Sequence, residues 1–280
     1  MTAEELRPLM QSIAYRMVGS LTEAEDLVQE AFLRLHEARD VENPKAWLTT
    51  VTTRLAIDHL RSARVRREEY PGTWLPEPVL ADPAPEAVVR AESLSLAVLV
   101  LLERLTPVER AVFVLREAFD YGYDEIAAVV GKSEANCRQL AARARRHVEE
   151  RRPRFEPSRE QRDELVRRFV AALQQGETEP LVELLAADVK FYGDGGGKAP
   201  AVGRMVRGAD AVIRLLAGFR RAAARRNASV EVIDFNGETG LAGYEDGRLV
   251  AVWAFEVSGG AIQAIRGVVN PDKLRHVSTP

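Results

Sequence analysis

The sequence predicts a multidomain chain with two all-α domains followed by an α+β domain that contains a curved antiparallel sheet. Over the first half, apolar residues recur at spacings of three and four, which is typical of amphipathic helices. Over the last part, helices are followed by apolar or alternating runs separated by Asn-Gly, Asp-Gly and Gly-Gly pairs, which are hairpin signals. With 280 residues, of which 46% are hydrophobic, the chain is long enough to bury several cores.

The composition excludes several classes of protein. The net charge is −3, so any affinity for nucleic acid must come from local basic faces such as Arg61–Arg67 and Arg138–Arg154. No apolar run approaches the roughly 18 residues of a membrane helix, so no membrane partner is expected. A single cysteine excludes an internal disulfide and agrees with a cytoplasmic location. We expect no cofactor. We also expect no metal, because the only cysteine is on a core face and the four histidines are scattered: His36, His59, His147 and His276.

The first two predicted helices cover Glu4–Gly19 and Thr22–Arg39. Gly19 can end the first helix, because glycine takes a positive φ without steric cost, and a capped second helix begins shortly after it. Acidic residues cluster in the first turn of the second helix. They complement the helix dipole, and this structural explanation is sufficient unless further residues point to a function.

The third predicted helix covers Lys45–Arg67, after the break at Asn43-Pro44. It begins with an aromatic residue and threonines and ends in an arginine cluster, a pattern that suits a helix lying along a nucleic-acid backbone. Two alternatives stay open. Trp47 and its neighbour Leu48 can belong to the core, and Asp58 can pair with Arg54 or Arg61 at helical spacing.

Residues Gly122–Arg146 predict a helix-turn-helix. Gly131 ends the first helix and Ser133 caps the second. In the second helix an apolar face is formed by Cys137, Ala141, Ala144 and Val148, so Cys137 is interpreted as a core residue. The opposite face carries arginine and glutamine, which suit base edges and phosphates. The alternative is a solvated basic helix in an all-α bundle.

The last part predicts helices at Gln161–Gln175, Glu179–Ala187 and Arg207–Ala224, with a short strand at Val189–Tyr192. Four further strands are predicted at Ser229–Asp234, Gly240–Glu245, Leu249–Val257 and Ala261–Val269. Helices followed by a meander give an α+β domain. The run DGGGK resembles a phosphate loop but lacks its spacing and its following helix. Its glycines are better explained by a tight turn or a close approach to another surface.

Several of these motifs resemble a known family. EAEDLVQEAFLRL and AWLTTVTTRLAIDHLRSARVRR resemble regions 2.2 to 2.4 of extracytoplasmic-function (ECF) sigma factors, and the segment from LERLTPVER to ARARRHV resembles their region 4. The C-terminal order of elements resembles the SnoaL-like cone. WLPEP, DGGGK and NPDKL resemble the group in which such a domain is fused to the sigma part. The resemblance implies a region 2 domain at 1–68, a linker at 69–92, a region 4 domain at 93–152, a linker at 153–160 and a SnoaL-like domain at 161–280.

The resemblance also implies roles for individual residues. Those implied to bind the clamp coiled coil of core RNA polymerase are Asp26, Gln29, Glu30 and Phe32. Those implied to lie near the −10 element, where a base leaves the stack, are Asn43, Lys45, Trp47, Thr50, Arg54, Asp58 and Arg61. Those implied for the −35 element are Ser133, Arg138, Gln139, Arg143, Arg145 and Arg146. The family often has Ser-Arg where Gln139 and Leu140 stand, so the −35 sequence is not predicted.

In the fused group the C-terminal domain regulates the sigma part in cis. The residues implied to mediate this regulation are Trp74, Leu75, Pro76, Asp194, Gly195, Gly196, Gly197, Lys198, Asn270, Pro271, Asp272, Lys273 and Leu274. We therefore expect the C-terminal domain to hold the promoter-reading domains closed, without a separate anti-sigma protein and with an unknown small ligand as a candidate signal. The sequence predicts no catalytic residues. Two alternatives stay open: a ligand-responsive DNA-binding regulator that is not a sigma subunit, and an isomerase or hydrolase acting in the C-terminal pocket.

Overall fold

The computed structural model describes residues 2–80, 95–150 and 158–277, except for the side chains of residues 63–68. It divides the chain into two compact units. The first unit contains residues 2–69 and 95–150, and the second contains residues 70–80 and 158–277. The predicted linkers at 69–92 and 153–160 therefore lie partly outside the described residues. Residues 70–80, which we call the linker segment, group with the C-terminal domain.

The first unit is helical. Its helices are α1 (Arg7–Val18), α2 (Leu21–Glu37), α3 (Pro44–Glu68), α4 (Leu96–Leu102), α5 (Pro107–Phe113), α6 (Tyr123–Val130) and α7 (Glu134–Glu149). A short 3₁₀ turn at Glu4–Leu6 precedes α1, and a π-helical turn at Val114–Ala118 follows α5. The side chains of the arginine cluster at the end of α3 lie outside the described residues, except for Arg61.

The ends of these helices follow the predicted signals. Gly19 ends α1 with a φ of 73°, and Gly131 ends α6 with a φ of 66°. The Ser133 side chain accepts a hydrogen bond from Asn136 N and so caps α7. Thr106 forms a capping box with Glu109 at the start of α5. These caps satisfy backbone N–H groups that have no partner within the helix, which confirms the two helices and the tight corner predicted here.

Buried arginines join α1 to α5 inside the first unit. Arg110 Nε donates to the Arg16 carbonyl oxygen at 3.1 Å, and its guanidinium pairs with Glu103. The Arg16 guanidinium lies 5.3 Å from the centroid of the Phe119 ring. Because buried charges are tolerated only when they are paired and hydrogen-bonded, these contacts define a specific arrangement of the N-terminal helices against α5.

The second unit contains three helices and a six-stranded sheet among its described residues. The helices are α8 (Arg159–Gln175), α9 (Thr178–Leu184) and α10 (Ala209–Ala223). The strands are β1 (Leu185–Asp194), β2 (Val206–Arg207), β3 (Ala228–Phe235), β4 (Glu238–Glu245), β5 (Arg248–Ser258) and β6 (Ala261–Val268). Their order in the sheet is β2-β1-β6-β5-β4-β3.

The sheet differs from the antiparallel prediction in one pairing. The meander from β3 to β6 is antiparallel throughout, as the hairpin signals predicted. Strand β1, however, runs parallel to β6, with Phe191 opposite Ile265. The chain crosses from β1 to β3 through α10, so β1 takes the place beside the last strand of the meander. Which strand becomes a neighbour is set by this crossover and not by the local pattern.

Two predicted helix boundaries are wrong in the second unit. The helix predicted to end at Ala187 ends at Leu184, because Leu185 already begins β1 and pairs with Ile262. The helix predicted to begin at Arg207 begins at Ala209, because Val206 and Arg207 form β2. In both cases, ladder hydrogen bonds to a strand distant in sequence override the local helical pattern.

Aromatic residues form much of the core of the second unit. Phe169 of α8 is fully buried and meets Phe255 of β5 edge to face, with ring centroids 5.2 Å apart. Phe191, Phe219 and Trp253 form a second cluster with centroids 5.6–6.2 Å apart. Aromatic pairs of this kind contribute beyond the area they bury. No helix among the described residues is long and apolar enough to span a membrane.

Replacing Phe169 by alanine is expected to lower the free energy of unfolding by about 3–5 kcal/mol, because it removes the ring and leaves a cavity. Phe169→Leu should cost clearly less, since it keeps most of the apolar volume. Urea unfolding followed by far-ultraviolet circular dichroism measures both. A loss below about 1 kcal/mol for Phe169→Ala would contradict a tightly packed core at this position.

Candidate functional site

The exposed face of α2 carries the residues predicted to bind polymerase. Asp26 and Gln29 are exposed, and Glu30 pairs with Arg34 at 2.7 Å. Phe32 is half-buried, with the Arg7 guanidinium 4.1 Å from its ring centroid. The neighbouring Leu33 is 55% exposed. Gln29, Phe32 and Leu33 line a groove between α2 and the start of α1. The face therefore combines acidic groups with an exposed apolar surface.

The beginning of α3 carries the first residues predicted for the −10 element. The Asn43 side chain accepts a hydrogen bond from Ala46 N at 3.1 Å and so caps the helix. The Thr50 hydroxyl donates to the Ala46 carbonyl oxygen at 2.8 Å. Leu48 is fully buried whereas Trp47 is half-buried, so the core alternative holds for Leu48. Asn43 and Thr50 thus each have a structural role, and their contact with the −10 element stays a prediction.

Further along α3, promoter candidates contact the helices that carry the helix-turn-helix. Arg54 donates from Nε to the Val129 carbonyl oxygen at 2.8 Å and from Nη2 to that of Ala128 at 3.0 Å. These carbonyls lie in the last turn of α6, where the helix leaves acceptors unsatisfied and carries partial negative charge. The Thr49 hydroxyl lies 2.9 Å from that of Tyr121. α3 and the helix-turn-helix are therefore joined by polar contacts.

The remaining −10 candidates lie on both sides of these contacts. The Lys45 ammonium is 5.8 Å from the centroid of the Tyr121 ring. Asp58 pairs with Arg61 at 2.8 Å, and both side chains are exposed. Of the two partners that the sequence left open for Asp58, the structure therefore shows Arg61. An exposed pair of this kind contributes little to stability, so both side chains are available to other ligands.

The second helix of the helix-turn-helix presents the predicted polar face to solvent. Its described −35 candidates beyond the cap are all exposed: Arg138, Gln139, Arg143, Arg145 and Arg146. Ion pairs hold three of them, Arg138 with Glu134 at 2.7 Å, Arg143 with Glu109 at 2.6 Å and Arg145 with Glu117 at 2.6 Å. The opposite face is buried, including Cys137, as predicted. The helix therefore has one core face and one cationic face.

In the second unit a buried carboxylate organises three of the predicted motifs. Asp194 is 0% exposed. It accepts hydrogen bonds from Tyr70 Oη at 2.6 Å, from Leu75 N at 2.8 Å and from Lys273 Nζ at 2.7 Å. Asn270 Nδ2 donates to the Tyr70 hydroxyl at 3.0 Å. We call these residues the Asp194 cluster. Gly196 N also donates to Asp194 at 3.1 Å, so three neutral donors and one cation compensate the cost of burying the carboxylate.

Lys273 connects the Asp194 cluster to the backbone and to the aromatic residues of the linker segment. Besides Asp194, its ammonium donates to the Leu75 carbonyl oxygen at 2.5 Å. It also lies 4.2 Å from the centroid of the Trp74 ring, within the range of a cation–π interaction. Both Leu75 and Pro76 are buried. The linker segment is thus held through its backbone and its aromatic side chain together.

The glycines after Asp194 allow the linker segment to come close. A Cβ at Gly196 would lie 2.2 Å from Asn270 Nδ2 and 2.9 Å from the Tyr70 hydroxyl, and one at Gly197 would lie 2.9 Å from Pro71 Cγ. Both glycines have positive φ. A Cβ at Gly195 would lie 2.3 Å from the Ala199 carbonyl oxygen. The run therefore serves a tight turn and a close approach rather than phosphate binding.

Asp272, which lies between Asn270 and Lys273 in the sequence, forms ion pairs with two cations. Lys198 pairs with Asp272, and Arg275 pairs with the same carboxylate at 2.9 Å. Lys198, followed by Arg275, lowers the pKa of Asp272. Leu274 is buried beside these groups. Pro271, which was also predicted to regulate in cis, is exposed.

Two contact residues in the second unit were missed by the sequence interpretation. Tyr70 precedes a proline in an unremarkable stretch, and Asn236 was interpreted only as a turn residue. Burial, followed by the hydrogen bond to Asp194, raises the pKa of Tyr70 well above its ordinary value of 10.0. Its hydroxyl therefore stays protonated and donating at neutral pH. Its contribution to stability is fully present below the ordinary pKa of 10.0 and is lost as the pH rises from there through the raised pKa.

Models of known families match most of the chain. Residues 2–66 match Sigma-70 region 2, residues 95–148 match Sigma-70 region 4, and residues 166–272 match the SnoaL-like domain. The chain is 42% identical to the ECF RNA polymerase sigma factor SigJ of Mycobacterium tuberculosis, over 97% of this chain and 91% of that protein. It is 40% identical to the probable ECF RNA polymerase sigma factor SigI of the same species, over 64% of each chain.

The fold has a counterpart among solved structures. The crystal structure of M. tuberculosis SigJ superposes with a TM-score of 0.78 at 39% identity, and covers 98% of this chain and 97% of that chain. The likeness therefore extends over both helical regions and the C-terminal domain.

Replacing Lys273 by methionine is expected to destabilise the second unit by about 3–5 kcal/mol, because it leaves the Asp194 carboxylate buried without its cation. Adding Asp194→Asn to this variant should recover part of the loss, since the neutral amide needs no counter-charge. Urea unfolding of the single and double variants measures the difference.

Lys198→Met provides the matched control. This substitution removes the ion pair with Asp272, in which the Lys198 side chain is 59% exposed and the Asp272 side chain is 37% exposed. Because exposed ion pairs contribute little, it should change the free energy of unfolding by less than about 1 kcal/mol. A double variant less stable than Lys273→Met alone would argue against an uncompensated charge as the cause.

Proposed function

The chain belongs to the extracytoplasmic-function RNA polymerase sigma factors, and we propose that its C-terminal domain regulates it in cis by holding the linker segment. As a sigma factor it binds core RNA polymerase and promoter DNA and initiates transcription. The chain matches both sigma regions and aligns with a sigma factor over nearly its whole length. This favours the sigma function over that of a regulator that binds DNA without the polymerase. The observation that carries the regulatory proposal is the burial of Asp194 against Tyr70 and Leu75.

We assign polymerase binding to the exposed face of α2. Asp26, Gln29 and Glu30 offer polar and acidic groups, and Phe32 and the exposed Leu33 offer an apolar surface beside them. An apolar centre with a charged rim is the usual composition of a protein interface. The partner in the proposal is the clamp coiled coil of the polymerase.

Promoter binding is assigned to the start of α3 and to the exposed face of α7. Cations of both helices are engaged within the first unit: Arg54 with carbonyl oxygens of α6, and Arg143 and Arg145 with glutamates. Their use on DNA requires these contacts to be exchanged for phosphates or bases. The described arrangement of the first unit is therefore a closed state, and polymerase binding is proposed to shift the population towards an open one.

The linker segment gives the C-terminal domain its influence over the sigma part. It lies between α3 and α4, so it belongs to the tether that joins the two promoter-reading regions. Fully extended, residues 70–80 would span about 36–40 Å, at 3.3–3.6 Å per residue. When this segment is fixed in the second unit, these residues cannot contribute their length to the connection between the two promoter-reading regions. Release of the segment would restore this length and allow the regions to separate on the polymerase.

Cis regulation implies two further proposals. First, the sigma factor acts in the cytoplasm, where the polymerase is, and it needs no separate anti-sigma protein because the C-terminal domain takes that part. Second, the C-terminal domain binds rather than catalyses. In its interior, Phe191, Phe219 and Trp253 pack ring against ring, which suits a scaffold or an apolar ligand better than acid–base chemistry.

The sigma function is tested by transcription with core polymerase and a candidate promoter. The full chain should give a promoter-specific product, and Asp26→Lys should reduce the product by about tenfold or more at limiting core, because it reverses a charge on the proposed polymerase face. Glu37→Lys, at the end of the same helix, is the control. Binding of duplex DNA without any polymerase-dependent product would favour the alternative regulator.

Opening of the first unit is tested by Tyr121→Phe. The substitution removes the hydrogen bond to Thr49, which is worth about 0.5–1.5 kcal/mol, without changing a residue proposed to contact DNA. The open population should rise by about two- to tenfold and the transcript yield at limiting core should rise with it. The yield is measured in single-round reactions.

Tyr123→Phe is the matched control for Tyr121→Phe, because Tyr123 makes cation–π contacts with Arg116 and Arg138 through its ring, which phenylalanine keeps. A lower yield from Tyr121→Phe than from the control would mean that the described contact assists transcription instead of restraining it.

A further inference from the structure

The linker segment has a second attachment, at its other end. The Asn236 N–H donates to the Val79 carbonyl oxygen at 2.8 Å, and the Val79 N–H donates to the Asn236 side-chain oxygen at 3.1 Å. Both residues are 2% exposed. A reciprocal pair of hydrogen bonds at this depth fixes the position of the backbone at Val79, because breaking it would leave buried polar groups unsatisfied.

Asn236 serves this contact in addition to its turn. It lies in the hairpin between β3 and β4 with a φ of 52°. Asp246 occupies the corresponding place in the hairpin between β4 and β5, with a φ of 49°, and is exposed. Asparagine, aspartate and glycine all suit such a turn. The turn geometry therefore does not require an asparagine at position 236, whereas the hydrogen bond from Val79 requires a side-chain oxygen.

We propose that Asn236 is a positioning residue that forms a second, separate station for the linker segment. The first station is the Asp194 cluster, which holds Leu75. Pro76 and Pro78 lie between the stations and restrict the backbone there. Both stations make hydrogen bonds to main-chain atoms of the linker segment. Release of the whole segment therefore requires the hydrogen bonds of both stations to break. This inference rests on the proposed cis regulation.

The experiment compares amide hydrogen exchange in the full-length chain and in its Asn236→Gly variant. Glycine keeps the positive φ of the turn and removes the side-chain amide, including the oxygen that accepts the hydrogen bond from Val79 N. The prolines carry no N–H, so the amides of Leu75 and Val79 report on the two stations separately. We expect exchange at Val79 to become about fivefold faster or more, the factor for losing one net hydrogen bond, while exchange at Leu75 changes less than twofold.

Asp246→Gly is the control for the loss of a side chain in the same kind of turn, and it should leave both amides unchanged. Unchanged protection at Val79 in Asn236→Gly would overturn the proposal. So would equal loss of protection across β3 and β4, because that would show a general weakening of the hairpin instead of the loss of one contact.

Transcription separates this proposal from the one on which it rests. If release of Val79 in Asn236→Gly changes the transcript yield in the same direction as Asp194→Asn, the second station supports the regulation. If Val79 is released and the yield stays at the Asp246→Gly value while Asp194→Asn changes it, Asn236 is only a structural contact and the second station is overturned, whereas cis regulation through the Asp194 cluster stands. If neither Asn236→Gly nor Asp194→Asn changes the yield, cis regulation through the linker fails. A change in yield without release of Val79 would overturn the role assigned to Asn236.

Discussion

The second unit binds the linker segment through the buried carboxylate of Asp194. A charge excluded from water is stable only if its surroundings replace the lost hydration. Here Lys273 supplies the counter-charge, and Tyr70 and the Leu75 amide supply hydrogen bonds. Other features of the region follow from this requirement. The glycines that follow Asp194 let these donors approach, and Asn270 orients the Tyr70 hydroxyl.

The contacts that Arg54 and Thr49 of α3 make within the first unit are polar as well. Arg54 meets carbonyl oxygens of α6, and Thr49 meets the Tyr121 hydroxyl. A polar contact loses little free energy when water or phosphate replaces its partner. An apolar contact that is exposed to water loses the whole free energy gained by burying its surface. Joints of this composition suit surfaces that must separate during a functional cycle. A sigma factor has this requirement, because its promoter-reading side chains must exchange protein partners for DNA.

Local signals predicted most elements correctly, and the failures have a common cause. The helix ends at Gly19 and Gly131, the cap at Ser133 and the hairpin pairs after β3, β4 and β5 act within a few residues, so the chain alone reveals them. The errors at Leu185 and Arg207 arose where a residue pairs with a strand that lies outside its local stretch of sequence. The parallel pairing of β1 with β6 has the same origin, since alternation shows which residues form a strand but not its neighbour.

The family, the helix-turn-helix and the cationic face of α7 could be predicted from the sequence, because each of them resides in contiguous motifs with fixed spacing. The sequence also singled out the motifs around Trp74, Asp194 and Asn270 through resemblance. Which atoms of these motifs meet could be seen only in the folded chain. The fold also added Tyr70 and Asn236, whose partners are separated from them by more than a hundred residues. Hydrogen bonds between such distant residues depend on the position of whole strands and leave no periodic signal in the chain.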